Sequence, residues 1–140
     1  MGQSFTIDES TGNVRVLSPV DYEMTQKFDL WIEARDVTNL SSFRKLVINV
    51  QDLNDNIPRF SQPMYSTSIL ENADIGASVI QIMATDSDIG NNGLVTYRLS
   101  TTDSTFQINH NTGLISTIVE LDRETVDVYN LIVEAVDQVS

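Results

Sequence analysis

The sequence contains no cysteine and only one histidine, His110, in 140 residues. Without cysteine the chain cannot form a disulfide, a thiolate zinc site or a cysteine nucleophile. Long apolar runs are also missing, because stretches such as Ser78–Thr85 fall far short of the roughly 20 residues that span a bilayer. The N-terminus has no basic-plus-apolar leader. We therefore expect no membrane anchor, no export signal and no direct membrane contact within this stretch.

Basic residues are scarce as well. Lysine and arginine number 8 against 20 aspartates and glutamates, which gives a net charge of −12. A nucleic-acid-binding surface needs a surplus of positive charge, so the sequence argues against nucleic acid as a partner and favours cations. Hydrophobic residues still make up 41% of the chain, which is enough to build a folded core.

The sequence offers little support for catalysis. His110 lies in the polar loop Asn109–Gly113 and is best explained as a solvated turn residue. No serine or threonine has a plausible histidine partner, which argues against a Ser-His-Asp hydrolase. Counting acids does not exclude a carboxylate pair that cleaves glycosides, but the acids fit the ligand positions described below. We therefore predict that the chain is not an enzyme.

The chain contains an internal repeat. Shifted by 101 residues, Phe5–Asp36 aligns with Phe106–Asp137 without a gap, and ten of the 32 aligned residues are identical. In this alignment Met1 corresponds to Thr102, and nothing after Ser140 corresponds to the last predicted strand of the first copy. We expect two tandem copies of one unit, the first truncated at its N-terminal side and the second lacking its last strand.

Alternation of apolar and polar residues predicts an all-β fold. Every second residue is apolar in Lys45–Val50, in Phe28–Ala34 and in its counterpart Tyr129–Ala135. The loop Asn109–Gly113 suits a hairpin, with Gly113 free to adopt a positive φ. About seven short strands per unit of roughly 100 residues predict a Greek-key β-sandwich. Further strands are predicted at five places: Tyr65–Leu70, Ser78–Ala84, Leu94–Ser100, Phe106–Ile108 and Leu114–Thr117.

The two copies meet at a polar stretch that ends in proline, DLNDNIP (Asp52–Pro58). We predict that residues 1–51 are the C-terminal part of one repeat and that residues 59–140 are most of the following repeat. Residues 52–58 are the linker between them.

Acidic residues collect at the predicted strand ends. Any one of these motifs is explained by turn formation, because Asp and Asn side chains bond the nearby backbone. Together, however, several carboxylates at one end of a sandwich repel each other unless a cation binds them. Oxygen ligands without Cys or His suit Ca²⁺ better than Mg²⁺. The residues in question are Asp21, Glu23, Asp36, Asp52, Asp55, Glu71, Asp86, Asp88, Asp122, Glu124 and Asp137.

These motifs resemble the extracellular repeat of cadherins. The resemblance rests on DLNDNIP, LEN, TDSDIGNNGLVTY, LDRE and EAVD, and it covers nearly the whole chain from Phe5 to Asp137. The D-x-D-x-G-x-N-G form is similar to protocadherins and to Fat- and Dachsous-like cadherins rather than to those of adherens junctions. The resemblance implies a junction that binds up to three Ca²⁺ ions.

The ligands that the resemblance implies can be carried over residue by residue. The first repeat supplies Asp21 and Glu23, and the second supplies Asp86, Asp88, the Asn92 carbonyl and Asp137. The linker supplies the Leu53 carbonyl, the Asn54 side chain, the Asp55 carboxylate and the Asn56 carbonyl. One of the three sites is expected to be complete in this chain, whereas the other two lack a bridging glutamate. By the same logic Asp36 belongs to the previous junction, and Glu71, Asp122 and Glu124 belong to the next.

The resemblance implies calcium-dependent cell adhesion. We expect internal repeats of the extracellular part of a single-pass plasma-membrane protein, whose partners are other cadherin ectodomains, bound homophilically or heterophilically and mostly through other repeats. The alternative is a carbohydrate-binding or enzyme-associated cadherin-like β-sandwich. That alternative would use Trp31, which points away from the core face and could equally be a partner contact or be covered by a neighbouring strand. Asn39-Leu40-Ser41 is a sequon for N-glycosylation in a predicted loop.

Overall fold

The structure is a computed structural model that describes residues 4–101 and 104–137. All regular secondary structure in these two ranges is β, as the alternation predicts, and no helix there could span a membrane. The chain divides into two compact units, Met1–Leu53 (unit 1) and Asn54–Ser140 (unit 2). The strands of unit 1 are β1 (Phe5–Ile7), β2 (Val14–Val16), β3 (Lys27–Arg35) and β4 (Ser41–Asn49).

Unit 1 consists of two antiparallel hairpins. The strand β1 pairs with β2, and β3 pairs with β4 over nine residues, from Lys27 opposite Asn49 to Arg35 opposite Ser41. Alternate residues of β3 are half-buried, so one face of the hairpin packs inward. The ring of Phe28 meets the buried ring of Phe5 edge-on, with centroids 4.9 Å apart. The two hairpins of unit 1 thus contact each other through these rings.

The described residues of unit 2 form seven strands in three sheets. The order β6-β10-β9 forms one sheet, and β8 with β11 and β5 with β7 form two-stranded sheets. Every pairing in the unit is antiparallel. The strands are β5 (Arg59–Phe60), β6 (Ser78–Gln81), β7 (Ala84–Thr85), β8 (Val95–Leu99), β9 (Phe106–Ile108), β10 (Leu114–Thr117) and β11 (Val133–Asp137).

The core of unit 2 combines aliphatic residues with aromatic pairs. Ile82 and Ile115 are each only 2% exposed, and Phe106 and Leu121 are also buried with them. The ring of Phe106 meets that of Tyr129 edge-on at a centroid distance of 5.0 Å. Such aromatic pairs stabilise beyond the area they bury, so the contact of Phe106 with Tyr129 adds to the stability of this core.

The same turn recurs at equivalent positions of the two units. Oδ1 of Asp8 accepts hydrogen bonds from the backbone N–H groups of Ser10 and Thr11. In unit 2, 101 residues further on, Oδ1 of Asn109 accepts from the N–H groups two and three residues ahead. Each turn ends in a glycine of positive φ, Gly12 at 74° and Gly113 at 70°. The predicted hairpin loop is therefore present, and the repeat extends to the details of its turns.

Two segments that the alternation predicts as strands lack a strand ladder. Tyr65–Leu70 forms no strand in the described residues, and β11 begins only at Val133, four residues after Tyr129. Both segments nevertheless pack on the core through residues such as Ile69 and Leu131. Their alternation reflects one-sided burial, which does not require a paired backbone.

Candidate metal centre

In unit 1 three acidic side chains lie near one another: Asp21 and Glu23 follow β2, and Asp52 follows β4. Asp21 caps the turn that follows β2: its Oδ1 accepts from the N–H of Met24 at 3.1 Å, and its carbonyl accepts from Thr25 at 2.9 Å. This turn carries Glu23. Asp52 lies just beyond the end of β4, which returns the chain to the beginning of β3. Hairpin geometry therefore places Asp52 at the same end of unit 1 as Asp21 and Glu23.

The ionisation of Glu23 reflects this crowding. Its own backbone N–H lowers the pKa of the Glu23 carboxyl, but desolvation and the neighbouring carboxyls of Asp21 and Asp52 outweigh that effect. Together they raise the pKa of Glu23 to about 7. Three acidic groups at one place are costly to ionise together unless a cation neutralises them.

In unit 2 the linker residue Asn56 bridges two carboxylates. Its side-chain amide donates to Oδ1 of Asp88 at 2.7 Å and to Oδ1 of Asp55 at 3.1 Å. Its backbone N–H donates to the other oxygen of Asp88 at 3.2 Å. Asp88 is only 6% exposed. Both of its oxygens are thus held by one residue, and the linker is fixed to the loop that follows β7.

One carboxylate oxygen in this loop has no hydrogen-bond donor in the part of the chain that the structure describes. Oδ1 of Asp86 accepts from the backbone N–H of Asp88 at 3.0 Å, whereas its Oδ2 is buried without a hydrogen-bond partner among the described residues. A buried carboxylate oxygen without a partner is strongly unfavourable. Since hard oxygen ligands are those that Ca²⁺ takes, the residues present fit a calcium ion.

Glycines shape the loop between β7 and β8. Gly90 has a φ of 59°. A Cβ at Gly93 would lie 2.1 Å from the carbonyl oxygen of Asp88, so only glycine allows this close approach of the backbone. Between them the N–H of Asn92 donates to the carbonyl of Ile89 at 3.2 Å. The loop is therefore folded tightly around the backbone of Asp88.

The remaining predicted ligands lie at the end of β11 and in the linker. Asp137 is the last residue of β11 and pairs with Val95, the first residue of β8. It therefore lies at the end of unit 2 where the loop Asp86–Leu94 enters β8. In the linker Asn54 is half-buried, while Leu53 is exposed.

A second acidic cluster lies elsewhere in unit 2. Carboxylate oxygens of Glu71, Asp122 and Glu124 all lie within 4.8 Å of one another. The pKa of Asp122 is lowered by the hydroxyl of Thr125 and by the N–H of Glu124. Asp122 and Glu124 are the repeat equivalents of Asp21 and Glu23, so both units carry the same acidic pair.

The sequence prediction omitted Asp52 from the ligand set. It noted this residue among the strand-end acids but gave it no role. The structure brings a carboxylate oxygen of Asp52 within 4.8 Å of one of Glu23. The available signal was its position as the first residue of the linker motif DLNDNIP.

Two residues weighed for other functions have ordinary surroundings. His110 is exposed, and its carbonyl accepts from the N–H of Tyr97 at 2.8 Å. Trp31 is 70% exposed on the outward face of β3, as alternation predicts, and lies opposite Lys45. The ammonium of Lys45 pairs with Asp29 at 2.8 Å. Trp31 therefore lies in the middle of β3, beside the ion pair of Lys45 with Asp29 and away from the acidic loops of unit 1.

A model of the cadherin domain matches residues 1–51 and 65–140. The chain belongs to the cadherin family. It is 42% identical over 142 residues to protocadherin Fat 4 of Mus musculus, with 99% of this chain and 3% of that protein covered. It is 43% identical over 139 residues to the protocadherin-like wing polarity protein stan of Drosophila melanogaster, covering 96% of this chain and 4% of that one.

Solved cadherins share the fold. The crystal structure of mouse cadherin-23 EC22-24 matches with a TM-score of 0.85 and 34% identity, over 96% of this chain and 43% of that chain. The Greek-key sandwich of tandem cadherin repeats is thereby confirmed, as is the resemblance to protocadherins and Fat-like cadherins. These relatives are named as cadherins rather than as enzymes. This cadherin chain spans only 3–4% of the length of the two curated relatives.

Proposed function

We propose that this chain is a pair of internal cadherin repeats in the extracellular part of a single-pass cell-surface adhesion protein. The junction between the repeats binds Ca²⁺ and stiffens a rod-like ectodomain, whose partners are other cadherin ectodomains bound mainly through other repeats. The proposed repeat boundaries are those predicted from the sequence: residues 1–51, the calcium-binding linker 52–58, and residues 59–140. The observation that carries the proposal is the buried Oδ2 of Asp86, which has no donor among the described residues.

The proposed ligand set joins the residues from the sequence with one further residue. Each contributes oxygen, and none contributes sulfur or nitrogen, which favours calcium over softer metals. Up to three ions bind, and one site has all its expected ligands in this chain. The set is Asp21, Glu23, Asp52, the Leu53 carbonyl, Asn54, Asp55, the Asn56 carbonyl, Asp86, Asp88, the Asn92 carbonyl and Asp137.

The negative charges of the ligand carboxylates determine their role at the proposed junction. When bound, Ca²⁺ supplies the positive charge that the clustered carboxylates lack. Asp86 presents an oxygen, Oδ2, that has no partner among residues 4–101 and 104–137, and Asp88 is held in place by Asn56. Burial and the neighbouring carboxyls of Asp21 and Asp52 oppose the ionisation of Glu23 and raise its pKa. Because ligands come from both repeats and the linker, occupancy of the junction fixes the angle between the repeats.

The carbohydrate-binding alternative is not favoured. It requires an aromatic platform beside acidic or amide groups that bind sugar hydroxyls. Trp31 is exposed, but Lys45 lies opposite it and is engaged by Asp29. Glycan-array binding that disappears in Trp31→Ala would support that alternative.

Calorimetric titration with Ca²⁺ tests the proposed site. Extracellular calcium modules bind at roughly 10⁻⁴–10⁻³ M, and we expect the intact chain to bind in this range. Asp86→Asn retains the size of the side chain but removes its charge, so it should weaken binding at least tenfold. Asp127→Asn is the matched control, because Asp127 is exposed and has no assigned ligand role. Equal affinity of Asp86→Asn and the parent would contradict the proposal.

A further inference from the structure

The turn between β3 and β4 carries a sequence feature that the calcium junction does not use. Asn39-Leu40-Ser41 is the only N-x-S/T triplet in the sequence. The side chains of all three residues are exposed. Leu40 is 72% exposed, and Val37 in the same turn is fully exposed. The turn therefore projects from unit 1 with a solvent-facing amide at Asn39.

The hydrogen bonds of the turn leave the Asn39 side chain outside the network. Oδ1 of Asp36 accepts from the N–H and hydroxyl of Thr38 and from the N–H of Leu40, at 2.7–3.0 Å. The backbone N–H of Asn39 donates to the carbonyl of Asp36 at 3.1 Å. Asn39 has a φ of 64°, a conformation that Asn tolerates better than most residues. The backbone of Asn39 thus serves the turn, and its amide faces solvent.

The turn lies far from the acidic end of unit 1. In the nine-residue ladder Arg35 pairs with Ser41 next to the turn, and Lys27 pairs with Asn49 at the other end. At roughly 3.4 Å per residue the separation is about 27 Å. Asp21, Glu23 and Asp52 adjoin the far end, so a bulky group at Asn39 would not crowd them.

We propose that Asn39 carries an N-linked glycan. Nδ2 of Asn39 forms a bond to the anomeric carbon of an oligosaccharide, and that carbon's bond to the diphosphate of its lipid carrier breaks. The amide nitrogen loses one proton, and the lipid diphosphate leaves with the electron pair. The co-reactant is a lipid-diphosphate-linked oligosaccharide, which the secretory route supplies. The modification is bulky and solubilising at a surface position.

Ser41 has a second contact that the experiment must separate from its role in the triplet. Its hydroxyl hydrogen-bonds to Glu33 and contributes, after Arg35, to lowering the pKa of that carboxyl. Ser41→Thr retains a hydroxyl and the triplet, whereas Ser41→Ala removes both. Asn39→Asp removes the acceptor amide and keeps a residue that tolerates positive φ. Asn109 and Asn111 lie in the loop of unit 2 that corresponds to the β1–β2 turn of unit 1. Neither is followed two residues later by Ser or Thr, so neither is a glycosylation site.

The inference rests on the extracellular location in the proposed function, and the test separates the two. The full chain is fused to a secretion signal, expressed in animal cells, and recovered from both the medium and the secretory membranes. Intact mass is measured before and after peptide N-glycosidase, which converts a glycosylated Asn into Asp. We expect one glycan in the parent and in Ser41→Thr, and none in Asn39→Asp or Ser41→Ala. Peptide mapping should place the conversion at Asn39 and leave Asn109 and Asn111 unmodified.

Two outcomes would overturn the inference: an unmodified parent in both fractions, or a glycan that persists in Asn39→Asp. The calcium titration is run on the same samples. Absence of the glycan with normal calcium binding contradicts the glycan alone. A glycan without calcium binding contradicts the proposed junction alone.

Discussion

The side-chain amide of Asn56 donates a hydrogen bond of 2.7 Å to Oδ1 of Asp88, a residue 32 positions further along the chain. The backbone N–H of Asn56 binds the other oxygen of the same carboxylate. A linker residue is therefore attached through protein contacts alone to the loop that carries the proposed calcium ligands. The hydrogen bonds between Asn56 and Asp88 therefore do not depend on a bound ion.

Asn56→Ala should destabilise unit 2 in the presence of a chelator. It removes the amide donor from a carboxylate that is only 6% exposed, and hydrogen bonds to charged groups contribute about 1.5–3 kcal/mol. Urea unfolding followed by circular dichroism measures the loss. Asn130→Ala, at an exposed position, is the control. An unchanged midpoint in Asn56→Ala would show that this bond does not hold the linker.

Gly93→Ala should be more damaging than a substitution at Gly90. A Cβ at Gly93 meets the carbonyl oxygen of Asp88 at 2.1 Å, whereas one at Gly90 meets nothing within 4 Å. Overpacking against the backbone costs about 1–3 kcal/mol, and the loop should also lose calcium affinity. Gly90→Asn keeps a residue that tolerates the positive φ and should stay within about 0.5 kcal/mol of the parent. Thermal unfolding gives the Tm of both variants. Equal Tm values for Gly93→Ala and Gly90→Asn would contradict the packing argument.

The core of unit 2 should depend on Phe106. This residue is 6% exposed and pairs with Tyr129, so Phe106→Ala should cost about 3–5 kcal/mol. Ile132→Ala removes an apolar side chain that is 63% exposed and should have little effect. Chemical denaturation of the two variants gives the comparison. A small loss in Phe106→Ala would place the core elsewhere.

The turn of Asp8 predicts a specific acid dependence. Hydrogen bonds from the Thr11 backbone and hydroxyl and from the Ser10 backbone lower the pKa of Asp8 from its ordinary value of 3.8. The folded-state pKa thus lies below that of the unfolded chain. Ionised Asp8 therefore stabilises unit 1 above about pH 3.8, and this contribution is lost as the pH falls through the folded-state pKa.

Asp8→Asn tests this acid dependence, because Asn109 makes the same turn in unit 2 without a charge. The variant should keep the hairpin and lose the corresponding part of the pH dependence. An NMR titration of the Asp8 carboxyl in the parent checks the direction of the pKa shift. A pKa at or above the ordinary value would refute the prediction.

Much of the fold could be predicted from the sequence, because every second residue is apolar in Phe28–Ala34 and Lys45–Val50 and the 32-residue alignment exposes the repeat. Alternation did not distinguish paired from unpaired backbone, and so Tyr65–Leu70 was wrongly predicted as a strand. That segment is shaped by packing on the core, including a hydrogen bond from the Tyr65 hydroxyl to the carbonyl of Met83 at 3.0 Å.

The candidate site, like the fold, could be predicted only in part from the sequence. The residue types and spacing of Asp86 and Asp88 indicate oxygen ligands, and family resemblance supplies their roles. The burial of Oδ2 of Asp86 and the bridge made by Asn56 depend on how the loop packs, which no local pattern encodes. Asp52 was missed because its carboxyl meets Glu23 only through the return of the long β3–β4 hairpin.

The central claim is that the junction binds calcium and that Asp88 is one of its ligands. Thermal unfolding in chelator and in millimolar Ca²⁺, on the parent, Asp88→Asn and Asp127→Asn, tests it most directly. For a Kd of roughly 10⁻⁴ M, Ca²⁺ at about 10 mM is a hundredfold excess, and binding to the folded state alone then adds about 2.7 kcal/mol. We predict an upward shift in Tm on the order of 10 °C in the parent and in Asp127→Asn, mostly lost in Asp88→Asn. An unchanged parent Tm, or an equal calcium-induced shift in Asp88→Asn, would contradict the account.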